Sequence, residues 1–269
     1  MRIVSATVKP KAPLRSLGED RILMTSALLG VIDGATAKGG GGEKGPSRQE
    51  PGAVAADLIA RALKSLPSSA TARQAVDAAT EAVADGKGTT EASSASLMLY
   101  SAHRHELWGV GASTVRIDSR QSVLAPRHEA VAAQVRAAYL TALIRQGSDL
   151  RALQEEDPGR AMIIPLLRNE RSLRNVDSPG QWFFGSIDGG RVPDRHIHIQ
   201  PLPRETQSLL IASDGYPALA ADLESTERFL MGLLEVDPLL IGDHPQTKGL
   251  RAGNESFDDR SMIHVSFID

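Results

Sequence analysis

The sequence predicts a layered α+β fold, and three observations carry that prediction. Turn signals between apolar runs recur as hairpins, which imply antiparallel sheet. Stretches with apolar residues at helical spacing come in neighbouring pairs, which suit layers laid over a sheet. The two patterns occur in blocks rather than in strict alternation, which argues against a wholly parallel α/β arrangement.

Taken in order, residues 20–32 (DRILMTSALLGVI) turn from polar to apolar and stop at Asp33-Gly34, predicting a strand with an early bend. Residues 35–52 contain Gly39, Gly40, Gly41, Gly42, Gly45 and Gly52 with Pro46 and Pro51, and predict a loop. That loop lacks the Gly-Lys-Ser/Thr ending of a phosphate-binding P-loop. Val54, Leu58, Ile59, Leu63 and Leu66 mark a first amphipathic helix, and Ala75, Val76, Ala79, Ala82 and Val83 a second. Ser96–Ser101 and Glu106–Ile117 flank a polar AHRH turn and predict a hairpin. A long Ala-rich helix spans about 127–146, with Val131, Val135, Tyr139, Leu140 and Leu143 on its stripe. Residues 147–180 read as polar and irregular, apolar only over Met162–Leu167. Trp182–Ile187 and His196–Gln200 bracket Asp188-Gly189-Gly190 and predict a second hairpin. Leu209–Ala212 predicts a short strand ending at Ser213-Asp214-Gly215. Helical patterns at 217–223 and 225–235, a loop over 237–256 and a strand at Ser261–Ile268 complete the chain. With 269 residues, no repeat and no linker, the sequence reads as one domain over 1–269.

Composition narrows the function. Thirty basic against 33 acidic residues give a net charge of −3, and aromatics are only 4%. Neither a basic face nor a stacking platform for nucleic acid is implied. The absence of cysteine excludes disulfides, thiolate nucleophiles and Cys-ligated zinc. No apolar run is long enough for a membrane span and the first residues lack a signal-peptide core, so a cytoplasmic protein is expected.

Carboxylates at strand ends are the main chemical signal. Glu19 and Asp20 open the first strand, Asp33 closes it, Asp214 ends a later one, and Asp258-Asp259 precede the last. Adjacent antiparallel strands can bring such groups together, and an all-oxygen cluster of like charges selects a hard cation such as Mg²⁺ or Mn²⁺. Singly, each is weak: four Asp-Gly pairs occur, and Asp85-Gly86 and Asp188-Gly189 read as plain turns. The His-x-His pairs 103/105 and 196/198 lack an evident third ligand and read as hairpin or sheet surface.

In combination the motifs resemble a known family. Arg15-Ser-Leu-Gly-Glu19-Asp20 resembles the Arg-x-x-x-Glu-Asp opening of the type 2C (PPM) metal-dependent Ser/Thr protein phosphatases. Val31-Ile32-Asp33-Gly34 resembles their "VFDG" strand end, and Leu107 to Ser113 (LWGVGAS) their "VGDS" strand. Leu209 to Gly215 (LLIASDG) matches "LLLASDG", and Phe257-Asp258-Asp259-Arg260-Ser261 the closing "DDxT". The five motifs stand in family order over most of the chain.

The resemblance implies a four-layer αββα sandwich, two antiparallel sheets flanked by helix pairs, with two Mn²⁺ or Mg²⁺ ions at one end. Asp33 would bridge both ions, Asp214 and Asp258 would complete the first shell, and the Gly34 carbonyl would bind the second ion with Glu19 or Asp20 nearby. Arg15 would hold the phosphate, and the substrate would be a phosphoprotein. Residues 147–180 would form a flap over the site. Three positions depart from the pattern: Ala35 stands where some members carry a leaving-group acid, and Ala112 and Ala218 replace carboxylates of a third metal site. Water, or a residue from elsewhere such as Lys38, would have to take the acid's role, and Lys38 itself reads as a solvated loop charge. These departures leave a second reading, a pseudophosphatase that binds partners through the same fold, and a third, a hydrolase of small phosphoesters.

Overall fold

The structure, a computed structural model, describes residues 1–13, 17–36, 50–86 and 93–268. Two five-stranded antiparallel sheets lie face to face. One has the order β1-β10-β9-β6-β7, formed by Arg2–Lys9, Arg260–Ser266, Ser208–Ala212, Ser113–Ile117 and Arg120–Leu124. The other has the order β2-β3-β4-β5-β8, formed by Asp20–Met24, Leu28–Thr36, Ser93–Ser101, Glu106–Val110 and His198–Pro201.

The core between the sheets is aliphatic, as the scarcity of aromatics requires. Val31, Met98 and Leu107 from one sheet meet Leu209, Ile211, Ile263 and Val265 from the other. On the outer face of the β2-β3-β4-β5-β8 sheet lie α1 (Pro51–Lys64) and α2 (Ala72–Asp85). Their small residues, Ala55, Ala56, Ala75 and Ala79, let the helices sit close to the strands. A capping box between Thr71 and Gln74 fixes the start of α2. The opposite outer face carries α6 (Leu223–Val236), through Leu230 and Leu234 against Leu210, Ala212 and Met262.

The long helix α3 (Arg127–Arg145) packs on α5 (Pro158–Asn169), with Ala132 against Ile163 and Leu167. A fully buried arginine ties this pair to the loop after α6. Arg136 donates to Asp157, and to the carbonyls of Leu239 at 2.8 Å and Gln246 at 2.9 Å. Asp157 also caps α5 by accepting from the Arg160 amide.

Several expectations change. The run 20–32 forms two strands, because Thr25 closes a turn: its hydroxyl accepts from the amides of Ala27 and Leu28. The run 106–117 also divides, into β5 and β6, which lie in different sheets. Gly111 makes the crossing, with φ +82° and a would-be Cβ 2.3 Å from Ser96 Oγ, so only glycine fits. Residues 147–180 are less irregular than their polarity suggests, since they form α4 (Leu150–Glu155), α5 and a 3₁₀ turn at Glu170–Leu173. Asp149 and Asp157 cap these helices, and the sequence reading passed over both signals. Trp182–Ile187 does not pair with His196–Gln200: it makes only single bridges, Phe184 to Arg174 and Ile187 to Ala95, and β8 pairs with β5 instead. No helix forms at 217–223, where Pro217 interrupts the pattern. Among the described residues no helix is long and apolar enough to cross a membrane.

Candidate metal centre

The strand ends bring four aspartates to one end of the sandwich. In the β2–β3 hairpin Asp20 stands directly across from Asp33. In the other sheet β9 and β10 pair through Ala212 and Met262, so the turns carrying Asp214 and Asp258 emerge side by side. Asp33, Gly34, Asp214, Asp258 and Glu19 line a cleft of about 730 Å³. Asp20 sits behind them, 1% exposed.

Close approach is built into the backbone. A side chain at position 34 would strike the Gly52 carbonyl at 2.2 Å, so Gly34 lets the first turn of α1 abut the end of β3. Position 52 is equally tight: a Cβ there would meet Glu19 Oε1 at 2.2 Å. Glu19 therefore rests against the N-terminus of α1, where the helix dipole favours a negative charge.

The electrostatics are those of crowded carboxylates. Burial, then Asp20, Asp214 and Asp258, push the Asp33 carboxyl well above the ordinary range, and Asp33 and Asp214 are close enough to share a hydrogen bond. Burial raises Asp20 to about 7, against hydrogen bonds from Ser213 and Ser261 that favour its charged form. Ser261 Oγ donates to Asp20 Oδ2 at 2.8 Å, whereas the buried Oδ1 has no hydrogen-bond partner. A buried, orphaned carboxylate oxygen behind two clashing aspartates is a place a divalent cation fits, and the all-oxygen donor set suits Mg²⁺ or Mn²⁺.

Asp258 is different. Burial would raise its pKa, but Lys248 and Lys11 hold it below the usual range. Lys248 pairs with Oδ2, and Lys11 Nζ lies 3.5 Å from Oδ1. Its neighbour Asp259 is a brace, accepting from the Lys11 amide at 2.8 Å, Lys11 Nζ at 3.2 Å and the Glu19 amide at 3.1 Å. Sequence reasoning missed both lysines and the two serines. Ser213 and Ser261 stand inside quoted motifs and were legible there, while nothing near Lys11 or Lys248 signals the contact.

Behind the centre, Glu227 on α6 gathers three segments. It accepts from Arg260 Nε at 3.0 Å and Nη2 at 3.1 Å, from the Tyr216 hydroxyl, and from Lys9 Nζ at 3.1 Å. Tyr216 and Arg260 each lie two residues from a cleft aspartate, Asp214 and Asp258. Ala35, Ala112 and Asp258 all line the cleft, and neither Ala112 nor Ala218 supplies an oxygen ligand from its side chain. Arg15 and Lys38 lie outside the described residues.

Comparison with solved structures gives the fold a precedent. The chain covers 100% of its length, and 99% of the other's, on the serine/threonine phosphatase PstP/Ppp of Mycobacterium tuberculosis, with a TM-score of 0.51 and 14% identity. Against the PPM Ser-Thr phosphatase MsPP of Mycobacterium smegmatis the TM-score is 0.50 at 16% identity, over 99% of both chains. The fold is that of the PPM-type serine/threonine phosphatases. The catalytic domain of PstP in complex with two manganese ions superposes with a TM-score of 0.51 at 15% identity, over 98% of this chain and 96% of that one. No family model and no curated protein matches the sequence. The PPM fold is thus held here at 14–16% identity to these structures.

Proposed function

We propose that the chain is a metal-dependent phosphatase acting on phosphoserine or phosphothreonine in proteins. The observation that carries this reading is the convergence of Asp20, Asp33, Asp214 and Asp258 at one end of a PPM-type sandwich. Asp33 would help hold both of two Mg²⁺ or Mn²⁺ ions, Asp214 and Asp258 would hold the first, and the Gly34 carbonyl, with Glu19 or Asp20 nearby, would hold the second. Such ions, when bound, supply an acidified water and positive charge for phosphoryl transfer. Ser213 and Ser261 favour the charged form of Asp20 for that role, and a bound cation would offset the burial that opposes it. Arg15 would grip the phosphoryl oxygens through its planar fork. Ala35 cannot hand a proton to the leaving alkoxide, so water takes that part.

Substrate choice is assigned to the segment 147–180, because Arg160, Glu170 and Arg174 from it line the cleft. The experiment is Mn²⁺-dependent hydrolysis of p-nitrophenyl phosphate and a phosphothreonine peptide by wild type and Asp214→Ala. Metal-dependent turnover that falls on the order of 100-fold in the variant supports the reading. A specific observation favours one competitor: Lys11 and Lys248 neutralise Asp258 in the absence of metal, as a non-catalytic binding protein would need. Folded wild-type protein that takes up Mn²⁺ without turnover would establish that pseudophosphatase reading. Turnover of the ester with none of the peptide would point to small phosphoesters.

A further inference from the structure

A second group of ligating side chains stands on the wall of the same cleft. His128 and Glu129 belong to the first turn of α3, and Glu170 opens the 3₁₀ turn after α5. One ligating atom from each lies within 4.8 Å of the other two. His128 is 2% exposed; its Nε2 makes one long hydrogen bond, to Glu170 Oε2 at 3.5 Å, and its Nδ1 has no partner. A buried imidazole left in this state beside two carboxylates is an unsatisfied polar group that calls for a ligand.

We infer that His128, Glu129 and Glu170 form a site for a transition-metal cation of the Zn²⁺ class, separate from the aspartate centre. Two ligands each about 2.1 Å from a tetrahedral ion stand about 3.4 Å apart, which matches the 3.5 Å between His128 Nε2 and Glu170 Oε2. Arg174 Nη2 holds the other oxygen of Glu170 at 2.5 Å, leaving Oε2 to face the imidazole. Phe184 packs on the His128 ring with centroids 4.7 Å apart and fixes its plane. One imidazole and two carboxylates favour Zn²⁺ or Co²⁺ over Mg²⁺, which the all-oxygen aspartate set suits better. Glu129 and Glu170 both line the cleft, so three protein ligands leave a coordination position open towards bound substrate. The ion would also join α3 to the end of α5, the two elements that carry the ligands.

The test is calorimetric titration of Zn²⁺ into the full chain held in excess Mg²⁺, repeated with Co²⁺ while recording its visible absorption. One equivalent of Zn²⁺ is expected, retained in Asp214→Asn and weakened at least about tenfold in His128→Gln and in Glu129→Gln. Circular dichroism checks folding, and Glu129→Gln, which alters a half-buried surface position, decides the matter if His128→Gln does not fold. No Zn²⁺ uptake in Mg²⁺, equal affinity in folded Glu129→Gln, or loss of binding in Asp214→Asn would each overturn the assignment. None of these readouts depends on turnover, so the phosphatase reading can fail without it.

Discussion

Asp258 shows how a single carboxylate can be committed before any metal arrives. Its two oxygens face the ammonium groups of Lys248 and Lys11, so a cation bound there must displace at least one of them. Lys248→Met is therefore expected to tighten Mn²⁺ binding by roughly tenfold, the order of one charge-assisted hydrogen bond. Calorimetry checks this, and weaker binding in the variant would show that Lys248 supports the metal-bound state instead. The strand-end aspartates were legible because they sit in motifs with fixed neighbours, Ile32-Asp33-Gly34 and Ser213-Asp214-Gly215. The lysines were not, because a long flexible side chain reaches its partner across 247 positions for Lys11, and no local pattern records that.

At the scale of elements, Glu227 fastens α6 to the two turns that carry Asp214 and Asp258. Burial alone would raise its carboxyl, but hydrogen bonds from Arg260 and Tyr216 hold it down, from the ordinary 4.5 to about 2. A depressed carboxylate stabilises the fold above its unfolded pKa, and that contribution is lost as pH falls through the folded one. Screened by solvent at this partly exposed site, the contribution is on the order of 1–2 kcal/mol, present above pH 4.5 and lost on acidification towards pH 2. Glu227→Gln should thus be much less stable than wild type at pH 7 and nearly equal to it near pH 2, as urea unfolding at the two values would show. A constant difference would mean that packing, not charge, makes the contribution. The crossing at Gly111 gives a second prediction. Gly111→Ala forces a side chain into a left-handed backbone against Ser96, and should lower stability by about 2 kcal/mol. The sequence displayed this residue but not its meaning: alternation of side chains runs on through Gly111, and only the tertiary fold shows that the chain changes sheets there. The caps Asp149 and Asp157 were readable and outweighed by the polarity of their surroundings.

For the whole molecule, the order of blocks sufficed to predict a layered α+β fold with antiparallel sheet under helices, since hairpins and paired amphipathic stretches survive local errors of boundary; that there are two sheets came only from the family resemblance. Which strand neighbours which was not readable: β1 and β7 escaped notice because each exposes much of its surface and lacks an apolar run. On the proposed reading, the crowding of Asp20, Asp33 and Asp214 would make a metal a folding ligand as well. Saturating Mn²⁺ at about 100 times its Kd should add about 2.7 kcal/mol of stability, read as a rise in Tm that EDTA reverses. An unchanged Tm would mean that the aspartates hold no ion.

The pairing of β1 with β10, Arg2 opposite Ser266, has a temporal consequence. During synthesis the earliest strand emerges without a neighbour and must wait until position 266 has left the ribosome. The β2–β3 hairpin and the α1–α2 pair can assemble meanwhile, but the sheet that supplies Asp214 and Asp258 closes only at the end. A chain interrupted before Asp258 therefore lacks at least one of the four aspartates, and the candidate centre cannot assemble in it.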